Sequence, residues 1–141
     1  MTRIYWDTML FVYLIEGTPA HADRVAHIHA RIEKRGQRLC TSVFTLGEVL
    51  TGPIKQGAND VVTQVGRTLC PPRVELLPFT AETAERYARI RAENRVSLAD
   101  AIHLASAAES GVDLFLTNDR RLTRLTIPGI DFIAGMDVGL F

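Results

Sequence analysis

Short β-prone runs alternate with helical segments along the whole chain. The strand-like runs begin at Arg3, Arg38, Arg73, Asp113 and Ile130, and amphipathic or apolar stretches with helical spacing separate them. This alternation is typical of an α/β domain whose mainly parallel sheet is covered by helices on both faces. The sequence therefore predicts a three-layer α/β/α sandwich with a mainly parallel five-stranded sheet.

Length and composition narrow the class of protein. The 141 residues suit one compact domain, and we expect residues 1–141 to form it. The formal net charge is zero, so any contact with a polyanion must come from a local patch. Cys40 and Cys70 have no metal-ligand or redox spacing, which favours a reduced, cytoplasmic protein. No apolar run approaches the roughly 18 residues of a membrane span, so we expect no membrane association.

Four acidic residues occupy equivalent places in the predicted elements. Asp7 ends the first strand, and Asp119 follows the fourth strand by two residues. Glu48 and Asp100 are predicted in the first turns of helices that begin at the same edge of the sheet. Sites in parallel sheets form at the carboxyl ends of the strands, so we expect the four carboxylates to converge there.

Each acid also has a purely local explanation, as a helix cap. Ser97 with Asp100, and Thr45 with Glu48, have the spacing of capping boxes. An acid in the first turn of a helix contributes only about 0.3–1 kcal/mol. Two carboxylates about 4 Å apart repel by roughly 4 kcal/mol at an effective dielectric of about 20. A cluster would therefore either protonate in part or hold a divalent cation, and oxygen ligands without His or Cys favour Mg²⁺ or Mn²⁺.

Two details of these helices bear on the site. The helix carrying Glu48 is predicted from about Gly47 to Lys55, and Pro53 is expected to bend it or end it early. His103 lies one turn after Asp100. We interpret His103 as a partly buried helix residue, with support of a metal ligand as the alternative.

The acidic segments together carry a family resemblance. They are Asp7-Thr8, Thr45-Leu46-Gly47-Glu48-Val49, Leu98-Ala99-Asp100-Ala101-Ile102-His103-Leu104-Ala105 and Leu116-Thr117-Asn118-Asp119. In this order and spacing they resemble a PIN domain, and the layout resembles the VapC-type toxins of prokaryotic toxin–antitoxin pairs. The resemblance implies a Mg²⁺- or Mn²⁺-dependent endoribonuclease that is usually a homodimer and is inhibited by a cognate antitoxin.

The resemblance also implies roles for individual residues. By position, Asp7, Glu48, Asp100 and Asp119 match the acidic residues of the family. Our hypothesis is that the three aspartates hold the main ion and that Glu48 binds a second ion or orients the attacking water. The polar neighbours expected to help order the site are Thr8, Thr117 and Asn118.

A short basic segment follows the last acid. Arg120, Arg121 and Arg124 could supply the local positive charge that the net composition lacks, as a patch that positions RNA phosphates. The alternative is a solvated helical face without function.

Three other functions are weighed against the nuclease. A haloacid-dehalogenase-like phosphatase would need Asp-x-Asp after the first strand, and position 9 is Met9. A PIN-like binding module without activity would be signalled by the loss of an acid, and all four are present. A housekeeping RNA-processing nuclease would have the same site and no antitoxin, and the sequence leaves this alternative open.

Overall fold

The structure, a computed structural model, describes residues 2–141. The strands are β1 (Arg3–Trp6), β2 (Arg38–Ser42), β3 (Glu75–Leu77), β4 (Leu114–Thr117) and β5 (Phe132–Gly135). The helices are α1 (Thr8–Glu16), α2 (Ala22–Lys34), α3 (Val43–Lys55), α4 (Asn59–Leu69), α5 (Ala81–Glu93) and α6 (Leu98–Ser110), with a 3₁₀ turn at Leu122–Arg124. Within residues 2–141, no helix has the length and hydropathy needed to cross a membrane.

The five strands form one parallel sheet in the order β3-β2-β1-β4-β5. The chain moves outward from β1 to β3 and then returns to place β4 on the other side of β1. Strand order therefore reverses between β1 and β4, and such a reversal opens a crevice beyond the carboxyl ends of the strands. The predicted five-stranded parallel sheet is confirmed.

Helices cover both faces of the sheet and make two hydrophobic cores. Successive side chains of a strand point to opposite faces, so Ile4 and Trp6 pack in one core and Tyr5 packs in the other. Helices α1 to α4 contribute to the first core, and α5 and α6 contribute to the second. The predicted three-layer sandwich is therefore also confirmed.

The start of α3 differs from the sequence prediction. The helix begins at Val43, and the Ser42 hydroxyl accepts a hydrogen bond from the Thr45 amide at 3.0 Å. Glu48 consequently lies in the second turn, and the predicted Thr45-x-x-Glu48 capping box is wrong, because the last residue of β2 already caps the helix. The expected early end at Pro53 is also wrong. Proline removes one hydrogen bond close to the end of this helix, and the helix continues to Lys55.

Candidate active site

A cavity of about 410 Å³ opens at the point where strand order reverses. All four predicted acids line it, although they come from separate parts of the chain: Asp7, Glu48, Asp100 and Asp119. Three other predicted residues also line it, namely Thr8, Asn118 and Arg120. The tertiary structure thus brings seven of the ten predicted site residues to one cavity, and Thr117, Arg121 and Arg124 lie around it.

Asp7 is held at both carboxylate oxygens. Its Oδ1 accepts a hydrogen bond from the Thr8 amide at 2.7 Å, which caps α1. Its Oδ2 accepts a hydrogen bond from the Thr117 hydroxyl at 2.8 Å. The same hydroxyl oxygen accepts a hydrogen bond from the Asp119 amide at 3.0 Å. The buried Thr117 therefore fixes both acids that follow the two central strands.

The carboxylate of Asp119 is engaged by Arg121. Its Oδ1 accepts hydrogen bonds from the Arg121 amide at 3.0 Å and from Nε at 3.1 Å, and its Oδ2 accepts one from Nη2 at 2.8 Å. Hydrogen bonds from the Arg121 side chain hold the pKa of Asp119 below its usual value. The Arg121 side chain is 87% exposed, so it can exchange this carboxylate for another anion at little cost.

Asp100 lies in the first turn of α6, where Ser97 caps the helix. The Asp100 amide donates to the Ser97 hydroxyl at 3.1 Å. Burial raises the pKa of Asp100, and the negative charges of Asp7 and Asp119 raise it further. The local explanation of Asp100 as a helix cap is therefore incomplete, because its carboxylate also experiences the charge of two other acids. A cation at this position would relieve that repulsion.

A buried hydrogen-bond chain leads to Glu48. His103 Nε2 lies 2.7 Å from Glu48 Oε1, and the Thr8 hydroxyl donates to the same oxygen at 2.6 Å. On the other side of the imidazole ring, Nδ1 lies 2.7 Å from the Tyr5 hydroxyl. Burial opposes the ionisation of Glu48, but the hydrogen bonds from His103 and Thr8 outweigh it and lower the pKa of this carboxyl.

Sequence reasoning underestimated His103 and missed two tyrosines. The interpretation of His103 as partly buried is wrong, since it is 2% exposed and bonded on both ring nitrogens. Tyr5 binds it from β1, the strand that precedes Asp7, and Tyr13 lines the cavity and accepts a hydrogen bond from the side-chain amide of Asn118 at 2.9 Å. The three-residue spacing from Asp100 to His103 was an available signal, because it places both side chains on one side of a helix.

The donor set of the cavity fits a divalent cation in its chemistry. Carboxylate oxygens from four elements meet there with the amide of Asn118, which are ligands that hard cations prefer. Within residues 2–141, no three His, Cys, Asp or Glu side chains lie close enough together to hold a metal ion as they stand. The hydrogen bonds explain this spacing, because Asp119 turns to Arg121 and Glu48 turns to His103.

The three arginines do not act as one patch. Arg120 lines the acidic cavity and, with Arg124, an adjacent cleft. Its side chain is 89% exposed, and its closest acidic partner is Asp137 at 3.8 Å. Arg121 instead points back to Asp119. Arg120 and Arg124 are therefore not bonded to an acid of the cavity, whereas Arg121 is partly neutralised by one.

Comparison with known protein families identifies the family of this chain. The family model of the PIN domain matches residues 4–128. The chain belongs to the PIN domain family. Nucleases of this family generally use divalent metal ions, which agrees with the donor set of the cavity. Among curated proteins, no significant match is found.

Solved structures of similar fold include toxin–antitoxin complexes. A chain of DNA-bound VapBC from Salmonella typhimurium is 26% identical, with a TM-score of 0.76 over 96% of this chain and 99% of that one. VapBC2 from Rickettsia felis, bound to a DNA fragment from its promoter, has a TM-score of 0.77 at 19% identity, with coverage of 95% and 98%. VapC20 from Mycobacterium tuberculosis, a sarcin–ricin loop cleaving toxin, has a TM-score of 0.63 at 18% identity, with coverage of 79% and 86%. This PIN domain therefore has the fold seen in VapBC structures.

Proposed function

We propose that this PIN domain is a Mg²⁺- or Mn²⁺-dependent endoribonuclease and the toxin of a toxin–antitoxin pair. The observation that carries the proposal is the meeting of Asp7, Glu48, Asp100 and Asp119 in one cavity at the switch point of the sheet. Local capping would satisfy each acid separately and would not require them to share a cavity. The alternative of a binding module without activity is disfavoured because each acid is present and lines the cavity.

The residues of the cavity have separate tasks in this proposal. A bound divalent cation would neutralise phosphate charge and lower the pKa of a water molecule. Asp7, Asp100 and Asp119 would hold it, with Asp7 kept in place by Thr8 and Thr117. Glu48 would orient the water or take its proton on Oε2, because both of its hydrogen bonds end on Oε1.

Positively charged side chains complete the substrate path. Arg120 and Arg124 line the cleft beside the acids and would contact the phosphates that flank the scissile bond. Arg121 would join them when it leaves Asp119. Asn118 and Tyr13 of α1 also line the cavity and are joined by a hydrogen bond. We therefore expect cleavage of phosphodiester bonds inside an RNA strand and not at its end, because the cavity is open to the adjacent cleft.

The toxin role is supported by likeness to VapBC structures over nearly the whole chain. We propose that residues 1–141 are a single nuclease domain that acts in the cytoplasm, forms a homodimer and is inhibited by a cognate antitoxin. A housekeeping nuclease would share the site and lack the antitoxin. Co-expression with the product of a small adjacent gene would separate them: a stable complex without nuclease activity supports the toxin, and full activity in its presence contradicts it.

The test of the nuclease is cleavage of total RNA by purified protein with Mg²⁺, with Mn²⁺ and with EDTA. Asp7→Asn should abolish cleavage and leave the fold intact. The matched control is Asp60→Asn, because Asp60 is an exposed first-turn acid of α4 outside the cavity. Discrete fragments that require metal and Asp7, but not Asp60, support the proposal. A folded wild-type protein that cuts no RNA under any condition contradicts it.

A further inference from the structure

We propose that His103 is a positioning residue that fixes Glu48 for the reaction through a hydrogen-bond chain anchored on Tyr5. This inference rests on the proposed function, since it assigns Glu48 to the cleavage step. His103 does not touch substrate or metal in it. Its role is to hold Glu48 Oε1 at 2.7 Å from Nε2, which leaves Oε2 of this cavity-lining residue free of hydrogen bonds within residues 2–141.

The geometry assigns a proton to each hydrogen bond of the chain. Glu48 Oε1 accepts from the Thr8 hydroxyl and lies 2.7 Å from His103 Nε2, so the proton of the second bond belongs to Nε2. The Tyr5 hydroxyl is fully buried and has His103 Nδ1 at 2.7 Å, whereas Thr45 Oγ1 is 3.5 Å away. A buried hydroxyl without an acceptor is costly. Nδ1 therefore accepts from Tyr5, and the imidazole is the Nε2–H tautomer.

The rings of Tyr5 and His103, which form the hydrogen-bond chain, are held in place by contacts with other aromatic rings. Tyr5 stacks on Phe115 with ring centroids 4.9 Å apart, and Phe44 meets the His103 ring edge-on at 5.4 Å. Tyr5 and Phe115 lie on the central strands β1 and β4 and His103 lies on α6, whereas Phe44 lies on α3, the helix that also carries Glu48. Packing thus sets the direction in which Nε2–H points.

Glu48 needs such an anchor because it is partly exposed and its one other hydrogen bond in the described part of the chain comes from the Thr8 hydroxyl, at the same oxygen. Its side chain is 31% exposed and lies in the second turn of α3, beyond reach of the helix cap. A glutamate there has several accessible rotamers, and each misplaced rotamer lowers the rate of a reaction that depends on orientation. The N–H of His103, together with the Thr8 hydroxyl, selects one of them.

Two substitutions separate positioning from packing. His103→Leu fills the same buried space with an apolar side chain and removes the hydrogen-bond donor. His103→Gln places an amide N–H near the position of Nε2. His103→Leu should lower kcat at least tenfold with little change in KM, and His103→Gln should recover most of it. His27→Gln, on the exposed face of α2, is the matched control and should change nothing. Equal kcat values for the Leu and Gln variants would overturn the inference.

A double variant separates the loss of stability from the loss of Glu48 positioning. His103→Leu leaves the Tyr5 hydroxyl without an acceptor and is expected to lower Tm. Tyr5→Phe in the same chain removes that hydroxyl, so Tyr5→Phe/His103→Leu should unfold at a higher temperature than His103→Leu alone. Its kcat should stay low. If kcat recovers together with Tm, the loss was one of folding and His103 does not position Glu48.

The tautomer can be read without any measurement of activity. Two-bond ¹H–¹⁵N correlation spectra of the wild type, assigned with His103→Gln, should show a protonated Nε2 and an unprotonated Nδ1. Tyr5→Phe should shift the Nδ1 resonance most. A protonated Nδ1 overturns the hydrogen-bond chain. These spectra test the hydrogen-bond chain even if wild-type protein cuts no RNA, an outcome that would defeat the proposed function by itself.

Discussion

The Thr117 hydroxyl donates to Asp7 Oδ2 at 2.8 Å and joins two residues that are 110 positions apart in the chain. The bond spans the carboxyl ends of β1 and β4, the two strands between which the order of the sheet reverses. Because Thr117 Oγ1 also accepts from the Asp119 amide, one buried hydroxyl orders two of the four acids. Thr117 at the end of β4 therefore connects the central strands of the sheet to the acids of the site.

Substitution of Thr117 should cost both stability and metal affinity. Thr117→Val keeps the shape of the side chain and leaves Asp7 Oδ2 without its donor, so we expect the free energy of unfolding to fall by about 1–3 kcal/mol. Thr117→Ser keeps the hydroxyl and should retain most of the stability. Chemical denaturation and calorimetric titration with Mn²⁺ measure the two effects. A valine variant with wild-type Mn²⁺ affinity would contradict the role given to Thr117.

Removal of the charge of Asp100 should stabilise the metal-free protein and abolish cleavage. Burial and the charges of Asp7 and Asp119 raise the pKa of Asp100, so its ionised form is disfavoured in the folded state. Asp100→Asn should therefore raise Tm at neutral pH. Each kcal/mol moves Tm by about 2–4 °C in a chain of this length.

The pH dependence checks the cause of this stabilisation. A carboxyl whose folded-state pKa is raised has no effect below its unfolded pKa, where both states are protonated. Its destabilising effect grows as the pH rises through that value and is complete above the folded-state pKa. The difference in Tm between wild type and Asp100→Asn should thus vanish in acid and be largest at neutral pH. A difference that is constant with pH would exclude charge repulsion as the cause.

Arg121 should compete with metal for Asp119. Arg121→Ala removes the two side-chain hydrogen bonds to Asp119 and keeps the one from the backbone amide, and we expect Mn²⁺ to bind several-fold more tightly. The Arg121 side chain is almost fully exposed, so Tm of the metal-free variant should not change. Calorimetric titration at low and high salt tests this. Weaker Mn²⁺ binding by the variant would show that Arg121 supports the metal site instead of competing for it.

Arg120 should contribute to RNA binding through its charge alone. Arg120→Ala is expected to weaken binding of RNA of any sequence and to lower the slope of log K against log salt by about 0.7–1. Arg67→Ala is the control, because Arg67 is exposed on α4 and does not line the cavity. Binding is measured with the inactive Asp7→Asn background at several salt concentrations. An unchanged slope would assign Arg120 to the solvated surface.

The two cysteines should differ sharply in reactivity. Burial raises the pKa of the Cys40 thiol to about 12, so it stays protonated at pH 8, while Cys70 is partly exposed. Native protein should therefore react with a thiol reagent rapidly at one site. Denatured protein should react at both. Mass spectrometry of the labelled peptides identifies the site, and rapid native labelling of Cys40 would contradict its place in the core.

Local sequence was enough to predict the layout of the fold. The alternation of strands and helices predicted the parallel three-layer sandwich, and Asp7 and Asp119 could be placed because they directly follow strands. The start of α3 was missed for a local reason too, since Ser42 both ends β2 and caps the helix. Two neighbouring cap candidates, Ser42 and Thr45, compete there, and their spacing alone does not decide between them.

What the sequence determined by itself is the position of each acid at the end of a strand or near the start of a helix. Hydrophobic periodicity and capping are local, so a reader of the chain can recover them. Only the tertiary structure decided that His103 binds Glu48 and that Thr117 binds Asp7. These bonds join residues 55 and 110 positions apart in the chain. Such pairs form because packing of the sheet and helices brings their atoms within hydrogen-bond distance, which no local pattern encodes.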